Sequence, residues 1–223
     1  MSIKLNCYKL NPELVKNGIY LDFEGEGKKR DGTVPSPHLA GTYRPYLAGY
    51  KYSVLFFKSY WKPVKAMHMS EHDQIGEFKH LMDALITEAE QEDRKIIYWT
   101  IHEKAMIEMH APELLDRFQK VGFNLHKPVK KYANRRGYLR DDDEKKGLNQ
   151  YLQLLKSTSP LIIACKPTAA EACRRVDNYS QKKKRWRNWT IEQKNIAKDL
   201  LRYNKDDCLG VLKLARKLGN SVN

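Results

Sequence analysis

Gly18-Ile19-Tyr20-Leu21-Asp22-Phe23-Glu24-Gly25 is the stretch on which the fold turns. Its run from Gly18 to Phe23 is apolar and partly β-branched, the composition of a strand, and it stops at Gly25-Glu26-Gly27. A polar loop from Lys28 to Pro37 follows. Side chains alternate along a strand, so Asp22 and Glu24 share one face and Phe23 takes the other. Outward from this strand, Leu39 to Tyr43 and Tyr52 to Phe57 read as two more, with Pro63 closing the continuation of the second. The period then changes. Phe78, Leu81, Met82, Leu85, Ile86 and Ala89 recur at three and four, which predicts an amphipathic helix over Glu77 to Glu90. Lys95 to Thr100 is strand-like, a helix starts near Glu103, and Pro112 opens another over Glu113 to Val121 that ends at Gly122. Strands come first and then alternate with helices, the ordering of an α/β sheet with helices on its faces.

The second half is less regular. Lys127 to Arg136 and Leu148 to Leu155 are helix candidates, and Asp141-Asp142-Asp143-Glu144 has the look of an exposed turn. Residues 156–190, with Pro160, Pro167 and a basic tract, show no clear period. Beyond them Thr190 and Gln193 have capping-box spacing, and Ile191 to Leu218 is periodic as one long helix. Gly210 inside it either weakens the helix or permits a close approach. No repeat and no boundary interrupts the chain, so residues 1–223 read as a single domain.

Charge narrows the partner. Forty-one Lys and Arg stand against 27 Asp and Glu, a net charge of +14 that favours a polyanion. The excess gathers at Lys127 to Arg140 and at Lys182-Lys183-Lys184-Arg185-Trp186-Arg187. In the second tract, Trp186 and Trp189 among cations suit base stacking beside phosphate contacts, although two core tryptophans under a solvated basic face would read the same. Absence of a long apolar run argues against a membrane span, and the N-terminus lacks a secretory signal, so an intracellular, cytoplasmic protein is expected. Cys7, Cys165, Cys173 and Cys208 have neither zinc nor disulfide spacing and read as reduced thiols.

The chemistry rests on acids. Two carboxylates at i and i+2 on a strand end can hold a hard divalent cation such as Mg²⁺ or Mn²⁺, and without one they repel. Taken alone, Asp22 and Glu24 are a weak signal, since a solvated strand end has the same pattern. Leu200-Leu201-Arg202-Tyr203-Asn204-Lys205-Asp206-Asp207-Cys208-Leu209 adds to it. Tyr203 and Asp207 are four apart and share a helix face with Leu200 and Val211, so that face should look inward, where an acid needs a partner. Asp206, about 100° round the helix, should face solvent or support the others.

Asp22-Phe23-Glu24 after an apolar strand, with Tyr203-Asn204-x-x-Asp207-Cys208 on a late helix, resembles the first and last motifs of the DEDD exonucleases, and the late tyrosine marks their DEDDy subgroup. The YNxxDC run is similar to that of the ribonuclease-H-like proteins often described as RecB family nucleases. The resemblance implies a ribonuclease-H-like mixed sheet flanked by helices, and hydrolysis of DNA or RNA phosphodiesters, mostly from 3′ ends. It also implies two Mg²⁺ or Mn²⁺ ions held by Asp22, Glu24 and Asp207, with Tyr203 orienting the attacking water. Where the family carries its second motif, this chain has Thr100-Ile101-His102-Glu103; Glu103 takes the carboxylate position, and His102 is a lesser candidate. The Lys182 to Arg187 tract is then the expected nucleic-acid contact. A ribonuclease-H-like module that binds nucleic acid without turnover is the rival from another class, and a strand-transferring relative is a third. Dinucleotide and P-loop readings fail, because Gly25-x-Gly27 has no third glycine and no GK[ST] follows. No GxSxG supports a serine hydrolase.

Overall fold

The computed structural model describes residues 10–47, 49–138, 147–156 and 167–219. In chain order the elements are α1 (Pro12–Asn17), β1 (Ile19–Glu24), β2 (Leu39–Tyr46), β3 (Gly49–Phe56), α2 (Lys62–His68), β4 (Gln74–Ile75), α3 (Phe78–Gln91) and β5 (Ile96–Tyr98). They continue as α4 (His102–His110), α5 (Leu115–Val121), β6 (Gly122–Asn124), α6 (His126–Arg135), α7 (Leu148–Leu154), α8 (Ala169–Lys182) and α9 (Ile191–Gly219). The six strands form one mixed sheet in the order β4-β3-β2-β1-β5-β6. β1 pairs antiparallel with β2 and parallel with β5, and β2–β3 is an antiparallel hairpin.

β1 sits at the centre of this sheet and is covered on both sides, which is why it reads as a nearly continuous apolar run. Ile19, Leu21 and Phe23 pack with Met82, Ile86, Met106 and Phe118 of α3, α4 and α5. Tyr20 faces the other way, into a cluster with Leu125, Val129, Leu152, Val211 and Leu214. A third cluster continues that second face over β3, joining Val54 and Phe56 to Val176 of α8 and Leu200 of α9. Asp22 and Glu24 have the parity of Tyr20 and therefore look toward α9, as strand alternation requires.

Several expected elements are longer than the sequence suggests. β2 runs on to Tyr46 and β3 starts at Gly49, because Pro45 sits at the distal end of a hairpin whose turn places Leu47 at φ 49°. Pro63 opens α2 rather than merely ending a strand; proline is tolerated in a first helical turn. The stretch without a clear period contains α8, begun by Thr168, whose hydroxyl accepts from Glu171 N. The Thr190–Gln193 capping box is formed: Thr190 N donates to Gln193 Oε1 at 3.0 Å and Gln193 N to Thr190 Oγ1 at 3.3 Å. Gly210 allows a close approach, since a Cβ there would stand 3.1 Å from Leu148 and Leu152 of α7. The acidic run Asp141 to Glu144 lies outside the described residues, as do Cys7 and Cys165; Cys173 and Cys208 are buried free thiols. Among the described residues no helix is long and apolar enough to cross a membrane.

Candidate active site

β1 delivers Asp22 and Glu24 at its C-terminal end, and α9 crosses that end on the same face. Carboxylate oxygens of Asp22, Glu24 and Asp207 come within 4.8 Å of one another. Residues nearly two hundred positions apart in sequence thus meet, and the meeting depends on how closely α9 approaches the sheet.

Asn204 and Gly41 set that approach. In the β1–β2 register Gly41 lies opposite Asp22, and a Cβ on Gly41 would fall 1.9 Å from Asn204 Oδ1. Glycine there opens the space into which the Asn204 side chain inserts. Its Nδ2 donates to Asp22 Oδ2 at 2.7 Å and to Asp22 O at 3.1 Å, while its Oδ1 accepts from the Tyr52 hydroxyl at 2.7 Å. Tyr52, on β3, thereby fixes which end of the carboxamide faces Asp22. Asn204 is fully buried, at the centre of the inward face of α9. Tyr203 and Asp207 are half-buried on the flank of that face and line a cavity. The sequence pattern placed Tyr203 and Asp207 inward and gave Asn204 no role. Its one available signal was position: Asn204 stands four residues before Cys208 and after Leu200, among residues that are all buried.

The electrostatics are those of like charges crowded together. Burial, and then the neighbouring Glu24, Asp207 and Glu103, hold the Asp22 carboxyl well above the ordinary range. Burial and the Asp207 charge push Glu24 up to about 8. Burial raises Asp207 to about 6, against the lowering effect of the Tyr203 hydroxyl. Tyr203 is itself raised, by burial and by Asp207. A hard divalent cation fits this set: three oxygen ligands converge, and each acid stays protonated to a higher pH than usual while no positive charge compensates it.

Glu103 belongs to the neighbourhood but not to the trio. It is 3% exposed, at the start of α4, and its Oε2 accepts from Thr100 N and Thr100 Oγ1, both at 3.3 Å. Burial raises it to about 7, with backbone hydrogen bonds opposing. His102 is exposed and lines the same cavity. That cavity, about 660 Å³, is lined by Asp22, Glu103, Tyr203 and Asp207, with Trp99, His126 and Asn149 among its other lining residues. A smaller recess of about 240 Å³ adjoins it through Phe23 and His102, between the loop at Gly25–Pro37 and Ala169–Ala170 of α8.

Comparison of the chain with protein-family models, curated proteins and solved structures finds no match.

The basic tract expected to touch nucleic acid is elsewhere. Ala169 borders the Glu24 recess, and Lys182 is thirteen residues further along α8, about 20 Å away at 1.5 Å per residue. α9 measures the same separation independently, since Ile191 precedes Asp207 by sixteen residues, about 24 Å. Lys182, Lys184, Arg185 and Arg187 are exposed, whereas Lys183 is half-buried and donates to Gln193 Oε1 at 3.0 Å. Trp189 corrects the stacking expectation: it is buried, its Nε1 donates to Lys183 O at 3.0 Å, and it packs on Tyr179. Trp186 is half-buried, with its ring 5.0 Å from that of Trp189. These indoles anchor the tract to α8 and α9.

Proposed function

We propose that the chain is a metal-dependent nuclease of ribonuclease-H-like type that hydrolyses phosphodiester bonds of DNA or RNA from the 3′ end. The observation that carries the reading is the convergence of Asp22, Glu24 and Asp207 at one end of the central strand, beside a cavity. A mixed sheet with helices on both faces is consistent with the ribonuclease-H-like expectation. Mg²⁺ or Mn²⁺, when bound, would activate water and neutralise charge on the leaving oxygen.

The chain's own residues do the rest. Asn204 holds one oxygen of Asp22 and so fixes the orientation of the carboxylate that meets Glu24 and Asp207. Tyr52 keeps the Asn204 carboxamide from flipping. Tyr203 stands one turn from Asp207 and lines the same cavity, where its hydroxyl can orient a water approaching the same acid. Glu103, raised by burial to about 7, joins Asp207 at about 6 among the acids of this cavity that hold a proton to near neutral pH.

The test is digestion of matched DNA and RNA oligonucleotides labelled at either end, with Mn²⁺, Mg²⁺ and EDTA. Metal-dependent shortening from the 3′ end is expected. Intact substrate in every metal arm, together with tight and salt-sensitive binding, would instead favour the non-catalytic module.

A further inference from the structure

We infer that α6 is the track along which a single-stranded polynucleotide reaches the acidic trio, and that the Lys182–Arg187 tract is not. The inference rests on the nuclease reading for the identity of the site, but it concerns binding alone.

α6 starts at the cavity. His126, its first residue, lines the same space as Asp22 and Asp207, with its ring 5.0 Å from Trp99. Val129 and Ala133 are buried against the core and fix the rotation of the helix. At about 100° per residue, Lys130 lies just off His126, and Lys127 and Lys131 lie further round on the same side. Lys127 and Lys131 are exposed and Lys130 is half-buried. Lys130 follows His126 by one helical turn and is close enough to that cavity-lining ring to oppose its protonation. No acidic residue occurs in α6. The cationic side of α6 thus begins at His126, which lines the cavity, and runs round the helix through Lys130 to Lys127 and Lys131.

The arrangement resolves an electrostatic conflict. A phosphate chain approaching these four crowded acids is repelled unless cations lie along its route, and the three lysines lie on the helix that begins at this cavity. Asp22 and Asp207 are half-buried in the cavity wall and Glu24 is only 7% exposed, so a phosphate must enter the cavity to reach all three. One strand can do so; a duplex must first unpair.

Fluorescence anisotropy of a labelled short single strand and of its matched duplex, in DNA and RNA forms, tests this with Asp207→Asn protein in EDTA, so that turnover cannot mask binding. Three further versions are compared: Lys127→Glu/Lys130→Glu/Lys131→Glu, the same sites changed to Gln, and Lys182→Glu/Lys184→Glu/Arg187→Glu. The α6 glutamate version should weaken binding about tenfold or more, and the glutamine version should lower the salt slope by about 2, at roughly 0.7 per lost contact. The distal version should change affinity less than about twofold. Loss confined to the distal version, tighter binding to duplex than to single strand, or no binding by the parent protein would each overturn the inference. Binding through α6 without metal-dependent cleavage by the native chain would leave the track standing and remove the nuclease reading instead. The glutamine version guards against a folding defect, because it removes charge without adding repulsion.

Discussion

Replacing Asn204 by alanine should both loosen the fold and weaken metal binding, and the two effects can be sized separately. The carboxamide donates twice to Asp22 and accepts once from Tyr52. A hydrogen bond to a charged group contributes about 1.5–3 kcal/mol, and stranding a buried hydroxyl costs about 1–3 kcal/mol. Tyr52 keeps Leu201 O at 3.3 Å, so the lower part of the second range applies. Together they give about 3 kcal/mol, or a fall of about 6–12 °C in Tm for a chain of this length. Groups that orient a metal ligand typically change affinity by about 10–100-fold when removed, and Asn204 orients Asp22 in that way. Thermal melts in EDTA and calorimetric titration with Mn²⁺ measure the two effects. Tyr52→Phe leaves the carboxamide in place and should give a smaller loss in each. If Asn204→Ala melts lower yet binds Mn²⁺ as tightly as the parent chain, the carboxamide only braces α9, and its control of Asp22 is refuted.

Asp207→Asn should abolish metal-dependent cleavage while the protein in EDTA at about pH 8 melts no lower than the parent, because a like charge leaves the cluster; a marked fall in Tm would show the acid to be structural. Tyr203→Phe should slow cleavage up to about a hundredfold with Mn²⁺ affinity unchanged, and an unaltered rate removes its role in orienting water. The metal-free protein should also lose stability as pH rises. Glu24 at about 8, Glu103 at about 7 and Asp207 at about 6 all lie above their ordinary values, so the folded state holds more protons than the unfolded chain. Their contribution is full below the unfolded pKa values and disappears as pH climbs through about 6 to 8. Melts at about pH 5.5 and pH 8.5 should show the lower Tm at the higher pH, and Mn²⁺ should raise Tm more there. Equal melting at both values would contradict the crowding of the acids.

Much of the fold was legible because its main elements have one-sided or two-sided burial that leaves a simple period. α3 and α9 carry apolar stripes at three and four, and β1 is apolar except at Asp22 and Glu24 because helices cover both its faces. Other elements were hidden for identifiable reasons. The buried stripe of α8 uses Ala172, Cys173 and Val176, small residues set among Arg, Lys and Gln, so its apolar signal is diluted. β4 and β6 have two and three residues, too few to display alternation. At Pro63 the same residue that ends a strand also begins a helix, and local sequence does not distinguish the two.

The site divides along a similar line. Asp22, Glu24 and Asp207 could be found because each sits in a pattern that makes an acid conspicuous: a strand end, or the flank of an apolar helix stripe. The device that positions them is distributed across the chain and conspicuous nowhere. Gly41 reads as a defect in a strand, Tyr52 as a core aromatic and Asn204 as an ordinary helical polar group. Only the register of β1 with β2 and the descent of α9 join them into a single chain of contacts, Tyr52 to Asn204 to Asp22, through the space left at Gly41. Physical economy favours a purpose for that chain. The four acids oppose folding near neutral pH, and uncharged residues at the same positions would relieve the repulsion. A fold that holds Asp22 in one orientation amid that repulsion therefore gains nothing in stability from the acids themselves. A divalent cation would turn the same crowding into an attraction, and on that ground we propose the nuclease reading over a binding module without metal.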